Sequence, residues 1–169
     1  ARLIYQGVAH TSAAGGKRLI VDIGGGSTEF IIGKDFDPSL MRSLSIGCVN
    51  FTKKFFPSGE PKEKHFHKAI TAAHQELEII SDKYRHLGWD VCIGTSGTIK
   101  TIATLCCEIQ GKTGRSEISL TDLRNLIKHC CSAGKIENLN FSSLSQDRLP
   151  VFPAGLAVLT AVFESLGIT

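Results

Sequence analysis

The sequence predicts an α/β domain in which helices flank a mixed β-sheet. Short β-branched runs, typical of strands, alternate with longer amphipathic stretches that have the spacing of helices. A run of three glycines at residues 24–26 separates the first two β-branched runs and is typical of a hairpin turn. The chain has 169 residues, of which 42% are hydrophobic, enough for one sizeable core.

Three strands are predicted in the first third of the chain. The first covers residues 18–23 and the second covers residues 27–32, which the glycine turn makes antiparallel to the first. A third strand is expected at residues 41–46, just before Gly47. Together they predict an antiparallel start to the sheet.

Helices dominate the rest of the chain. Apolar residues spaced alternately four and three apart predict a long helix over residues 61–87, with Pro61 at its start and Gly88 beyond its end. A short buried strand at residues 90–93 is followed by a helix at 99–109. Ser119 and Asp122 form a capping pattern that opens another helix, which runs through Lys128.

The last predicted helices lie within residues 142–167. They include an apolar stretch at residues 151–168, which carries Pro153, Glu164 and Ser165 and is therefore expected to be a buried helix, not a membrane span.

This order of elements is typical of a ribonuclease-H-like domain, the fold of the sugar kinase, actin and Hsp70 superfamily. A domain of that type needs one more strand and helix than the chain supplies. We therefore predict that residues 1–169 form a single truncated actin-like lobe, with a first lobe and C-terminal regions missing.

Composition excludes several classes of function. The net charge of +3 and the scattered Lys and Arg residues do not indicate a DNA partner. None of the six cysteines lies in a C-x-x-C pair, so zinc spacing is absent, and we expect reduced thiols in a cytoplasmic protein. His65, His67 and His74 are expected on the surface.

The first glycine loop is the leading candidate for an anion site. Its expected phosphate ligands are Gly24, Gly25, Gly26 and Ser27. Glycines lack Cβ atoms, so backbone N–H groups can converge on an anion there. Strand alternation places Ser27 and Glu29 on one face, and Asp22 enters from the preceding strand. Two carboxylates beside such a loop suit Mg²⁺, although a glycine-rich turn flanked by solvated acids is the alternative.

A second small-residue loop follows the predicted strand at 90–93. It consists of Gly94, Thr95, Ser96, Gly97 and Thr98. Free N–H groups at a helix start can bind an anion, but Ser96 or Thr98 could instead simply cap the helix. Arg148 precedes the apolar C-terminal helix and either reaches the same cleft or pairs with a local acid.

These two loops together resemble those of the exopolyphosphatase/guanosine pentaphosphate phosphatase family. The resemblance extends through residues 1–8, 47–49 and 152–156, and so covers nearly the whole chain. It implies Mg²⁺-dependent hydrolysis of a terminal phosphoanhydride in a cleft between two actin-like lobes. Asp22 and Glu29 would hold the metal and the attacking water, while both loops would bind phosphate.

Three features of the family are missing from this sequence. These are an Asp-x-Gly-Ser-Asn loop, a glutamate expected immediately before Ala1, and a Gly-Ala-Leu-Arg-Glu-Gly segment after the last strand. We therefore expect the isolated chain to fold or nearly fold, to bind phosphate weakly and to hydrolyse little.

Residues 5–11 and 84–89 favour the pppGpp branch of the family, which forms ppGpp in the stringent response, over the polyphosphate branch. The all-glycine loop suits either branch. A non-catalytic nucleotide-binding module and a purely structural, dimerising lobe are the alternatives of another class. The full-length protein is expected to have no membrane partner and could form a homodimer.

Overall fold

The structure, a computed structural model, describes residues 2–11, 16–112 and 117–169. The helices within these ranges are α1 (Arg2–Thr11), α2 (Cys48–Phe55), α3 (Glu63–Leu87), α4 (Gly97–Ile109), α5 (Leu120–Ala133) and α6 (Phe152–Leu166). The strands are β1 (Lys17–Ile23), β2 (Thr28–Lys34), β3 (Asp37–Leu44) and β4 (Val91–Gly94). A short 3₁₀ helix covers Ile136–Asn138.

The four strands form one mixed sheet in the order β3-β2-β1-β4. The first three strands are antiparallel neighbours, as the hairpin predicts, whereas β4 runs parallel to β1 with Val21 beside Gly94. This mixed arrangement flanked by helices confirms the predicted fold class.

The main core lies between one face of the sheet and the helices that follow it. Leu19 and Phe30 on the strands and Leu77 on α3 are all fully buried there. Helix α6 is apolar on every side and almost entirely buried, which confirms its prediction as a core helix. No helix in the described part of the chain is both long and apolar enough to cross a membrane.

The opposite face of the sheet is covered by α1. Tyr5 packs there with Ile20 and Ile31, and the Tyr5 hydroxyl donates to the carbonyl of Asp35 at 3.2 Å. A Cβ on Gly33 would meet the Tyr5 ring at 2.5 Å, so glycine is required for this contact. The two glycine loops therefore extend from a sheet that is packed on both faces.

Several details differ from the sequence prediction. Helices α1 and α2 were not predicted, and β3 begins four residues earlier than expected, at Asp37. His67 is exposed as expected, whereas His65 and His74 are half-buried. The ring of His74 is fixed between two neighbours on α6, since Nδ1 lies 2.7 Å from Ser165 Oγ and Nε2 lies 2.9 Å from Glu164 Oε2.

The structure describes all six cysteines. All six are free thiols, and four of them are buried. Burial raises the pKa of the Cys92 and Cys106 thiols to about 12, so these groups are protonated and inert near neutral pH.

Candidate phosphate-binding site

The two glycine loops meet at one edge of the sheet. Because β1 and β4 are parallel neighbours, their carboxyl ends lie side by side, and each loop begins at one of those ends. The Thr95 N–H donates to the carbonyl of Val21 at 3.1 Å, and Thr95 Oγ1 donates to Asp22 Oδ2 at 2.5 Å. The second loop is therefore tied directly to the strand that leads into the first.

Asp22 and Glu29 face each other across the β1–β2 hairpin. They are direct partners in the strand register, and side chains in such pairs share a face, with Cβ atoms about 4.5–5.5 Å apart. Ser27 Oγ donates to Glu29 Oε1 at 2.7 Å, and Ser43 Oγ donates to the same oxygen at 2.9 Å. Ser27 thus shares a face with Glu29, as predicted, and orients its carboxylate.

In each carboxylate, one oxygen accepts hydrogen bonds from described residues and the other accepts none from them. Oδ2 of Asp22 accepts from Thr95, and Oε1 of Glu29 accepts from the two serines. Among the described residues, nothing donates to Oδ1 of Asp22 or to Oε2 of Glu29. Both side chains are half-buried, so fixed geometry is combined with access from solvent.

The orientation of the first glycine loop is set by the start of α2. The carbonyl of Gly24 accepts from the Cys48 N–H at 2.9 Å, and the carbonyl of Gly25 accepts from the Val49 N–H at 2.9 Å. The Asn50 side chain adds a bond from Nδ2 to the carbonyl of Gly26 at 3.3 Å. The donors of the first turn of α2 are thus used by the loop and are not available to a ligand.

This arrangement leaves two backbone donors facing outward. A trans peptide unit points its C=O and its N–H in opposite directions, and the described chain contains no cis peptide bond. With the carbonyls of Gly24 and Gly25 directed at α2, the N–H groups of Gly25 and Gly26 point away from it. Both glycines are exposed, and neither N–H donates to any residue that the structure describes.

Gly47 allows α2 to approach the loop this closely. A Cβ built on Gly47 would overlap the backbone of Gly25 and Gly26. Gly47 is also buried and directly precedes α2, so its lack of a side chain determines how near the helix start can lie.

The second loop divides its polar groups between structure and solvent. Ser96 Oγ accepts from the Ile99 N–H at 3.2 Å and so caps α4, one of the two roles that the sequence left open. Thr98 Oγ1 contacts Cys48 Sγ at 3.9 Å. The N–H groups of Gly97 and Thr98, in the first turn of α4, donate to no described residue, so they are the groups of this loop that remain for an anion.

Arg148 lies against the second loop. Its guanidinium covers Gly97 so closely that a Cβ there would overlap both terminal nitrogens. The side chain is half-buried, and no carboxylate in the described ranges comes within 4.0 Å of it. Arg148 therefore lies beside the first turn of α4 and, within the described ranges, is not paired with an acid.

The supporting residues of this site were not predicted from the sequence. Ser43 lies 14 residues from the carboxylate that it contacts, and the β3 register that brings it there was not predicted. Asn50 reaches the glycine loop across 24 residues through an unpredicted helix. Strand alternation in β3 was the one signal that could have indicated Ser43.

No cluster of protein ligands among the described residues forms a complete metal cage. Across the part of the chain that is described, no three His, Cys, Asp or Glu side chains lie close enough to hold an ion by themselves. The available donors are carboxylate oxygens of Asp22 and Glu29, an oxygen-only set that suits a hard cation whose other ligands are water or phosphate.

Known proteins similar in sequence to this chain are phosphatases of one family. The sequence profile of the Ppx/GppA phosphatase family matches residues 1–169. The guanosine-5'-triphosphate,3'-diphosphate pyrophosphatase of Aeromonas hydrophila is 44% identical over 168 residues, and that of Photobacterium profundum is 44% identical over 169 residues. Each alignment covers 99% of this chain but 33% of the relative, so the chain spans about a third of these relatives.

Solved structures show the same similarity. The Aquifex aeolicus PPX-GPPA enzyme superimposes with a TM-score of 0.82 at 25% sequence identity, covering 99% of this chain and 56% of that one. The type II variant of the Aquifex aeolicus Ppx/GppA phosphatase gives a TM-score of 0.81 at 26% identity, covering 98% of this chain and 55% of that one.

Proposed function

Because the chain belongs to the Ppx/GppA phosphatase family, we propose that it forms the phosphate-binding lobe of an enzyme that hydrolyses the terminal phosphoanhydride of pppGpp to give ppGpp. The names of the two relatives at 44% identity favour this substrate. The observation that carries the proposal is the convergence of free N–H groups and two half-free carboxylates at one sheet edge.

In this proposal the two loops bind adjacent phosphoryl groups. The N–H groups of Gly25 and Gly26 bind one group, and those of Gly97 and Thr98, with the Arg148 guanidinium, bind the next. Backbone donors fixed before the ligand arrives need no reorganisation during reaction, which is how such groups stabilise charge in phosphoryl transfer. The capping by Ser96 and the bond from Thr95 to Asp22 keep the second loop in place.

The carboxylates are proposed to hold Mg²⁺ and to orient the attacking water. Oδ1 of Asp22 and Oε2 of Glu29 are the oxygens left for these roles, while Ser27, Ser43 and Thr95 fix the other oxygen of each acid. When bound, Mg²⁺ would neutralise charge on the phosphoryl oxygens. The chain's own contribution is to keep both carboxylates at fixed positions beside the phosphate.

Polyphosphate remains the alternative substrate, since every donor named above would recognise phosphate and none a base. We further infer that residues 1–169 act as one actin-like lobe of a cytoplasmic enzyme, and the six free thiols support a reducing compartment. A homodimer of the longer protein stays a prediction, which its mass in solution would test.

Titration calorimetry of the wild-type chain with pppGpp, tripolyphosphate and ATP, each with and without Mg²⁺, tests the proposal. We expect Mg²⁺-dependent binding of pppGpp and tripolyphosphate that Glu29→Gln and Asp22→Asn greatly weaken. Glu76→Gln, an exposed change on α3, is the matched control and should bind normally. A preference for ATP would favour the nucleotide-binding module, and no binding of any ligand would favour a structural lobe.

Substrate choice needs a separate measurement. The initial rate of phosphate release from pppGpp and from polyphosphate, measured on the longer protein, should favour pppGpp. Faster release from polyphosphate would reverse the assignment and leave the chemistry of the site unchanged.

A further inference from the structure

Residues 142–148 connect the two ends of α4. At the C-terminal end of this helix, Glu108 contacts Ser142 and Ser143. At its N-terminal end, Gly97 is covered by Arg148. Eleven helical steps separate Gly97 from Glu108, a rise of about 16 Å, so the connecting segment must run along most of the helix to reach both ends.

Glu108 binds the start of this segment with both carboxylate oxygens. Oε1 accepts from the Ser142 N–H at 2.8 Å and from Ser142 Oγ at 3.0 Å, and Oε2 accepts from the Ser143 N–H at 3.3 Å. The Ser142 backbone donor is the largest cause of the lowered pKa of Glu108, which burial opposes. The carboxylate is thus charged when it holds the segment, and charge-assisted bonds are the stronger kind.

The far end of the segment fixes the Arg148 backbone. Its N–H donates to the carbonyl of Ser145 at 3.1 Å, and its own carbonyl accepts from the Phe152 N–H at 3.0 Å. Leu144 is buried between the two ends and anchors the middle. The path from Ser142 to Arg148 is therefore six residues long and is held at both ends and at Leu144.

We propose that Glu108 is a positioning residue, which holds Arg148 over the first turn of α4 and thereby sets the affinity of the site for a phosphoryl group. This inference rests on the proposed function, because it takes Arg148 to be a phosphate ligand. Glu108 itself lies a helix length from the site and touches no ligand.

Glu108→Gln is the informative change, because it keeps the size of the side chain but places an NH₂ group among three donors. In NMR spectra of the ligand-free chain, we expect loss of the nuclear Overhauser contact between the Arg148 side chain and the Gly97 Hα. Glu164→Gln is the matched control. It removes another hydrogen-bonded carboxylate, at the C-terminal end of α6 and far along the helix from Arg148, and it should retain that contact.

Binding of tripolyphosphate with Mg²⁺, followed through the Gly97 and Gly25 amide shifts, provides the second measurement. We expect Arg148→Ala to weaken binding about tenfold or more and Glu108→Gln to weaken it about three- to tenfold. Since one acts through the other, the double variant should bind no more weakly than Arg148→Ala alone.

The outcomes separate the inference from the proposed function. Additive losses in the double variant, or an unchanged contact in Glu108→Gln, would overturn the positioning role. Normal binding by Arg148→Ala with loss in Glu29→Gln would remove Arg148 from the site and leave the rest of the proposed function standing. If the wild-type chain binds no tripolyphosphate, the proposed function fails, while the contact measurement still decides whether Glu108 places Arg148.

Discussion

At the scale of single residues, hydroxyl groups in this site hold carboxylates. Ser27 and Ser43 both donate to one oxygen of Glu29, and Thr95 donates to one oxygen of Asp22. Within the described ranges, each acid therefore has one oxygen fixed by the protein and one oxygen that accepts no hydrogen bond. This division is what a site needs if its acids must stay in place without being neutralised.

Removal of one of these donors should loosen a carboxylate without deleting it. We expect Ser27→Ala to weaken Mg²⁺-dependent tripolyphosphate binding about two- to tenfold, the range for one hydrogen bond. Calorimetry at several Mg²⁺ concentrations measures the effect, with the exposed change Ser45→Ala as control. A loss as complete as that of Glu29→Gln would mean that Ser27 binds the ligand directly.

Gly47→Ala should destabilise the protein by about 1–3 kcal/mol, the usual cost of forcing extra volume into a packed region. The added Cβ would overlap the backbone of Gly25 and Gly26, which cannot move away as a side chain can. Urea unfolding gives the free energy of unfolding. Gly7→Ala on α1 is the control, since its Cβ meets nothing within 4 Å, and it should be neutral or stabilising by up to about 1 kcal/mol.

At the scale of elements, the start of α5 forms the complete capping box that the sequence predicted. Ser119 Oγ accepts from the Asp122 N–H at 3.2 Å, and Asp122 Oδ2 accepts from the Ser119 N–H at 2.9 Å. Ser119→Ala should lower the free energy of unfolding by about 1 kcal/mol. Thr121→Ala, exposed in the same turn, should change it much less, and equal effects would contradict the role of the cap.

A second link between elements depends on pH. Glu164 on α6 accepts from Arg124 on α5 at 2.8 Å and lies 2.9 Å from His74 on α3. Burial disfavours its charge, yet these two partners outweigh burial and hold the pKa of Glu164 below its ordinary 4.5. Because the folded pKa is the lower one, its stabilisation is present above about pH 4.5 and is lost as the pH falls further.

Glu164→Gln should therefore destabilise the protein at pH 7 and have a smaller effect near pH 3. Urea unfolding at both values measures the difference. The exposed change Glu76→Gln serves as the control and should give the same small effect at each pH. A penalty for Glu164→Gln that does not shrink in acid would mean that packing, not charge, is what this side chain contributes.

At the scale of the whole molecule, the elements with a long periodic signal were the predictable ones. The apolar stripe runs along the 25-residue helix α3, and the three glycines at residues 24–26 indicate the turn of the β1–β2 hairpin. Helix α2 has eight residues and no side-chain cap, so its local signal is weak. Its role arises from bonds to a loop more than 20 residues earlier, which no local pattern contains.

The same distinction applies to the site. The two loops and both acids could be identified from residue types, and their meeting at one edge followed from the expected strand order. The outward direction of the Gly25 and Gly26 N–H groups could not be predicted from the sequence, because it depends on the position of the start of α2. The contact between Gly97 and Arg148 likewise joins residues 51 positions apart.

We expect the isolated chain to bind phosphate weakly and to release little of it, because it spans about a third of the relatives named above. Phosphate release from pppGpp, compared between the 169-residue chain and the longer protein at equal concentration, measures this. Comparable turnover by both would show that these residues contain the whole catalytic apparatus.

The link between α2 and the first glycine loop has an electrical consequence. The peptide groups that join Gly24 to Gly25 and Gly25 to Gly26 each lie between the positive end of the α2 dipole and the solvent. The carbonyl oxygen of each faces the helix, and the N–H faces outward. Hydrogen bonds in such a series polarise one another, by about 10–30% per bond. The dipole of α2 therefore makes the outward N–H groups of Gly25 and Gly26 stronger donors. In this way α2 would increase the affinity for an anion without contacting it.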